Sequence, residues 1–269
     1  MAIIQMVNPV AEIGMIRMAK LLKAFRSKSM KLRILILLCS MSFALMASAQ
    51  ASGGQIVRKK PNTSKSIQKG SKPKTIDLGL PSGTLWADRN IGSNKPEDFG
   101  FLFAWGETKT KKYFSGANYR YIKWKEFQLT KYCLDAEAGV VDGKNELDLE
   151  DDAAYIYWGH SWRIPTNDQF RELTDVRYTE IKWTTYNNVY GLTITSKVNG
   201  NTVFLPASGF QSYGDWSERG EEGNYWSRTI WPQRSNEALS LQFGKEGISE
   251  YDFGTRYYGQ SIRPVYMPE

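Results

Sequence analysis

Between Asp77 and Glu269 the hydrophobic positions change their period. Over residues 147–158, Ala153, Ala154, Tyr155 and Ile156 cluster behind an acidic turn of Glu150, Asp151 and Asp152, where negative charge suits a helix N-terminus. Thr166-Asn167-Asp168-Gln169 reads as a capping box. Thr166 would cap, Gln169 would reach back, Phe170 and Leu173 would face the interior, and Pro165 would fix an extended approach. After Thr179 the spacing turns from helical to alternating, with Ile181, Trp183, Val189, Leu192 and Ile194 on short runs rich in Thr and Tyr. Asn199-Gly200, between residues 192–195 and 202–205, predicts a hairpin, since both residue types tolerate a positive φ. Residues 225–229, 238–243, 248–251 and 261–266 are further strand candidates. The pattern predicts an α+β domain with a twisted antiparallel sheet, two short helices and long irregular Gly/Trp-rich loops.

The first 76 residues show no such pattern. Lys31 and Arg33 precede an apolar run over residues 34–46, and Ala47-Ser48-Ala49 follows as a small-x-small cleavage signal. That combination predicts a removed signal peptide within residues 1–49, because the run is short for a bilayer span. The 29 residues before Met30 fit an extended basic leader or a start codon set too early. Leu37 and Leu38 stand where a lipoprotein needs small residues before Cys39, which disfavours a lipid anchor. Residues 50–76 are rich in Ser, Gly, Lys, Pro and Gln and predict a basic disordered linker. The expected location is therefore the periplasm, the outer cell surface or the medium, with no membrane span in the mature chain.

Charge changes the picture once it is divided along the chain. The formal net charge is +7, which by itself would raise nucleic acid as a partner. Of the 35 Lys and Arg, however, 14 precede Asp77, against one of the 28 acids; the body keeps 21 bases and 27 acids, a formal charge of −6. An acidic body on a basic leash excludes the nucleic-acid reading. Removal of residues 1–49 also leaves Cys133 as the only thiol of the two in the sequence, read as a small buried hydrophobe. All nine Trp fall after Asp77, enough ring area to fill a core that has modest aliphatic content.

Several strings carry a resemblance. Residues 77–87 (Asp-Leu-Gly-Leu-Pro-Ser-Gly-Thr-Leu-Trp-Ala) and 103–108 (Phe-Ala-Trp-Gly-Glu-Thr) resemble the opening of the Fibrobacter succinogenes major paralogous domain, common in exported proteins of Bacteroidetes. Asp151-Asp152-Ala153-Ala154, Trp158-Gly159, residues 162–166 (Trp-Arg-Ile-Pro-Thr), residues 204–209 (Phe-Leu-Pro-Ala-Ser-Gly), Tyr225-Trp226-Ser227 and residues 261–265 (Ser-Ile-Arg-Pro-Val) are similar to its later blocks, in order. The resemblance implies a C-type-lectin-like fold, distantly similar to the formylglycine-generating enzymes, with Asp77 and Val265 on neighbouring strands. His160 stands where that family more often has a small residue.

The residue inventory then narrows the chemistry. Formylglycine generation needs redox-active or copper-binding cysteines, which a single thiol does not supply. His160 is the only imidazole, so a Cys/His zinc site cannot form and a Ser-His-Asp triad lacks its nucleophile elbow. Paired carboxylates remain open, with Glu107 and either Asp151 or Asp152 as partners for glycan hydrolysis. Residues 142–152 offer many hard oxygen donors to calcium, but Lys144 intrudes where a ligand is expected. No cofactor is otherwise implied. Aromatic residues crowd the last third, where Tyr and Trp give rigid contact area with polar tips. The expectation is a non-enzymatic recognition or adhesion module that binds a glycan or protein at the cell surface. Its contacts would be Trp216, Trp231, Tyr213, Arg234 and Tyr257, in the loops 211–234 and 251–258, with Trp226 assigned to the core. The alternatives are a glycan-degrading enzyme and a structural envelope component.

Overall fold

The computed structural model describes residues 72–249 and 253–267, all within one compact unit, Lys65–Glu269. The expected signal peptide, the linker up to residue 71 and Tyr251 lie outside the described residues. The first half of the body holds five very short strands: β1 (Thr75–Asp77), β2 (Leu85–Ala87), β3 (Ile122–Lys123), β4 (Gln128–Leu129) and β5 (Trp162–Arg163). Helix α1 (Ala153–Trp158) precedes β5, and α2 (Asn167–Leu173) follows it. Longer strands then take over in β6 (Thr179–Tyr186), β7 (Val189–Ser196) and β8 (Thr202–Pro206). β9 (Phe210–Ser212), β10 (Asp215–Ser217), β11 (Glu222–Ile230) and β12 (Glu237–Gly244) come next. The last three are β13 (Gly247–Ile248), β14 (Phe253–Thr255) and β15 (Val265–Tyr266). Among the described residues the architecture is mostly antiparallel β with two short α-helices.

One continuous sheet does not form. The strands divide into a four-stranded sheet in the order β1-β2-β15-β5, a three-stranded sheet β6-β7-β8, and a sheet of β11, β12 and β13 with β14 also on β12, beside the hairpins β3–β4 and β9–β10. Strands of two or three residues contribute few ladder bonds each, so loops and side chains that bind backbone carry much of the chain's direction. Thr75 and Ile76 pair with Ala87 and Trp86, so the linker drawn to residue 76 ends before β1. β1 and β15 both pair with β2, which puts Asp77 and Val265 one strand apart instead of side by side.

The two helices stand where their local signals predict, with one revision. The capping box at Thr166 is present on both sides, and Phe170 lies 5.5 Å from the Trp86 ring, centroid to centroid. The first helix is shorter than residues 147–158: a 3-10 turn, Leu149–Asp151, precedes it, and Asp152 is the cap. Asp152 Oδ1 accepts from Ala154 and Tyr155 backbone N–H, and Oδ2 accepts from Ile164 N–H. Its side chain therefore ties α1 to the chain just after β5; of the acids read as dipole charge, Asp152 binds backbone while Glu150 and Asp151 meet Lys131.

The hairpin at Asn199-Gly200 forms, but around residues 197–201, with Thr195 opposite Thr202 and Gly200 alone at positive φ. Ser196 Oγ accepts from Val198 and Asn199 N–H and donates to Leu78 carbonyl, so the turn is organised by a buried serine. A two-residue turn of the type expected there occurs earlier, at Asn187-Asn188. Both have positive φ, and Tyr186 faces Val189 across them, as the strand twist favours.

Two ring-rich clusters fill the interior. One gathers Phe103, Trp105, Tyr119, Tyr121, Tyr132, Trp162 and Trp226; the other joins Trp86, Phe170, Leu192, Ile194, Tyr225 and Phe243. Trp226 is core, as the sequence suggested, and Cys133 is a buried free thiol. Two arginines are sealed inside. Arg263 donates to Asn90 Oδ1 and to the carbonyls of Ala87 and Phe204. Arg256 donates to Tyr119 Oη and to the carbonyls of Lys131, Tyr132 and Ser235, with Trp105 4.9 Å from its guanidinium carbon. Neither forms a carboxylate ion pair among the described residues. Each replaces missing sheet structure by tying three or four segments together, with every bond to a charged donor.

Candidate functional site

Arg256 fixes the backbone immediately before Tyr257 and Tyr258. On the same segment Gly259 exchanges both backbone hydrogen bonds with Gln211 of β9, so the β9–β10 hairpin is docked against residues 256–260. Tyr213 and Gly214 form its two-residue turn, with φ of 50° and 88°. A bulky residue in the left-handed region is an outlier that costs about 1 kcal/mol or more and needs surrounding structure to hold it. Here Tyr213 N–H donates to Phe114 carbonyl at 2.7 Å, and its hydroxyl meets that of Tyr257 at 3.3 Å.

A second hairpin tip arrives from β3–β4. Lys123 faces Gln128 across the turn residues 124–127; Trp124 and Phe127 rings lie 5.1 Å apart, and Phe127 also has a positive φ of 55°. The Trp124 indole passes so close to Gly116 that a Cβ there would fall 1.9 Å from the ring. Trp124 meets Tyr257 edge to face at 6.0 Å, Tyr213 meets Tyr257 at 6.1 Å and Tyr257 meets Tyr258 at 5.3 Å. Tyr258 in turn stacks on Phe210. The result is a ridge of rings from two hairpin tips and one arginine-anchored loop, with Tyr213 47% and Phe127 67% exposed. Burial, and the Tyr213 hydroxyl beside it, push the Tyr257 phenol up, so it remains a neutral hydrogen-bonding group.

The five residues singled out from sequence separate into three places. Tyr213 and Tyr257 touch within the ridge. Trp216 is 46% exposed, but it lies on β10 and not in a loop, and the Arg219 guanidinium sits over its ring at 4.2 Å and over Phe99 at 4.5 Å. Trp231 is half-buried, stacked on Phe253 at 3.9 Å, with Arg234 over its ring at 5.6 Å. No contact joins the Trp231 pair to Tyr213 or Tyr257 among the described residues, and β11 occupies much of the span 211–234 expected as loops. Trp124, Phe127, Phe210 and Tyr258 complete the ridge instead. Trp124-Lys125-Glu126-Phe127, two rings bracketing two charges, is the one local signal that could have marked the second tip.

The carboxylates considered for catalysis are engaged by protein donors. Glu107 accepts from Lys111 and from Arg120 N–H. Asp151 is buried, yet bonds from Lys131 and Tyr132 outweigh that burial and hold its carboxyl below the ordinary value. Burial moves Asp152 the other way, to about 6. Asp148, Glu150 and Asp151 bring oxygens within 4.8 Å of one another, as a metal site would. Lys131 Nζ lies 2.6, 3.4 and 2.6 Å from their oxygens, so an ammonium occupies the centre a cation would take. His160 is exposed and stacks on Tyr155 at 5.0 Å.

No protein-family model matches the chain, and no curated protein and no solved structure matches it either. Among the described residues no helix is long and apolar enough to cross a membrane.

Proposed function

We propose that this protein is an exported recognition module that holds an extracellular glycan on the ridge of Trp124, Tyr213 and Tyr257. One observation carries the reading: two hairpin tips in left-handed backbone conformation, Tyr213 and Phe127, present rings at the surface and are braced from beneath. Strain of this kind concentrates at functional positions. Where a ring face of the ridge is exposed, the C–H face of a sugar can stack on it while phenol hydroxyls bond the sugar's edges. Rigidity lowers the entropy lost on binding.

The same reading takes the chain as a C-type-lectin-like domain of the Fibrobacter paralogous type. Its support is that Trp86, Trp105, Trp226 and Arg263, from the resembling blocks, are all core residues. Engagement of Glu107, Asp151 and Asp152 by lysine, tyrosine and backbone donors favours binding over hydrolysis. The test is a Trp124→Ala, Tyr213→Ala double variant of the full chain, measured against a ligand found by screening arrays of glycans and extracellular proteins. A loss of about tenfold or more with an unchanged circular dichroism spectrum is expected. Unchanged affinity removes the ridge as the site; a protein ligand lost in the same variant keeps the site and replaces the ligand class.

A further inference from the structure

We propose that a depression at the end of the four-stranded sheet, away from the ridge residues in sequence and sharing none of them, is a second binding site that takes an anionic saccharide. It is an open depression of about 690 Å³, within the usual size of small-ligand sites. Trp158, Trp162 and Tyr266 give it aromatic walls, and Lys72, Lys74 and His160 give it its polar side.

The walls are fixed by the sheet. Trp162 and Tyr266 are register partners across β5 and β15, their rings edge to face at 5.2 Å, and Trp158 meets Trp162 at the same separation and 78°. Trp162 thus meets each of its two neighbours edge to face, and the three rings line the depression as a corner instead of a stack. Lys74 is placed by its backbone, which exchanges hydrogen bonds with Asp88 through the Oδ1 and N–H of that residue. Neither Lys72 nor Lys74 forms an ion pair among the described residues, and no Asp or Glu lines the depression. His160 has no hydrogen bond from its ring nitrogens among the described residues.

That combination selects the ligand. Ring faces alone would suit a neutral sugar, and lysines alone would attract any polyanion. A sugar ring carrying a carboxylate or sulfate presents an apolar face and an anionic edge together, which is what the corner and its lysines match. The body's formal charge of −6 after Asp77 works against a long polyanion spreading over the surface and favours a short anionic unit held locally.

Isothermal titration of the full chain decides it, with a carboxylated oligogalacturonate hexamer, a sulfated heparin hexasaccharide and neutral cellohexaose as probes. At least one anionic probe is expected to bind about tenfold or more tightly than cellohexaose, with an affinity that falls as salt rises. The carboxylated and sulfated arms tell the two anion types apart. Lys72→Glu with Lys74→Glu, both at exposed positions, should lower that affinity about tenfold or more, as should Trp158→Ala. Trp124→Ala on the ridge should leave it unchanged, which separates this site from the first. The proposal is overturned if neither anionic probe binds, if cellohexaose binds equally, or if the lysine pair has no effect. A response to the lysines without one to Trp158→Ala also overturns it, since that is surface adsorption.

Discussion

Tyr213 shows how one residue can be set against its own backbone preference. In the left-handed region Asn is far better tolerated than Tyr, and the neighbouring Gly214 already suits the turn. Tyr213→Asn should therefore keep or slightly raise the melting temperature, by the equivalent of up to about 1 kcal/mol, while weakening ligand binding on the ridge. A drop in both would mean that the Tyr257 contact, and not the ligand, accounts for the tyrosine. The residue itself was legible in the sequence as an aromatic beside Gly in a Gly-rich stretch. Its meeting with Tyr257 was not, because that depends on Gln211 pairing with Gly259 and on four hydrogen bonds from Arg256. No local pattern encodes a buried arginine that ties distant carbonyls.

At the scale of elements, the parts that could be read from sequence were those whose determinants lie within a few residues. Thr166 and Gln169 sit three apart and define α2 between them. β6 and β7 are long enough for alternation to appear, whereas β8, β11 and β12 read as short apolar runs because they are buried on both faces. β3, β4 and β5 have two residues each, below any period, and Asn187-Asn188 forms its turn without the glycine that usually signals one. For α1 the acids were visible but their job was not: Asp152 answers Ile164, twelve positions on. Asp152→Ala strips three backbone N–H groups of their partner at a buried site. It should destabilise the domain by about 3 kcal/mol, more than an ordinary cap, as measured by urea denaturation; a loss under about 1 kcal/mol would show that water or a shifted backbone replaces the carboxylate.

For the molecule as a whole, acids shifted in opposite directions give stability a pH profile with two arms. Asp142, Asp148 and Asp151 are held below their ordinary value of 3.8. Their contribution is complete above that pH and is lost as pH falls through their folded values. Asp152 is raised to about 6 from 3.8, so its contribution is complete below 3.8 and is lost as pH rises through about 6. Together these groups place maximal stability near pH 4, with a fall on the acid side and another as pH rises to about 6. Thermal melts from pH 2 to 8 would show it, and in Asp152→Asn the upper arm should flatten; an unchanged upper arm would assign that slope to other groups. The strings that carry the family resemblance belong to this same scale. They supply core tryptophans and a buried arginine, so they speak to the scaffold, while the ridge is built from positions outside all of them.

The order β1-β2-β15 has a mechanical consequence. β1 and β15 run in the same direction on either side of β2, so a pull on the chain before Thr75 and another after Tyr266 act along the strands in opposite senses. The ladder bonds lie across that direction and must yield together, like a lap joint and unlike a zip. A tether attached at those two points would load the domain in its stiffest geometry, and a bound surface could be held against flow without first peeling the sheet apart.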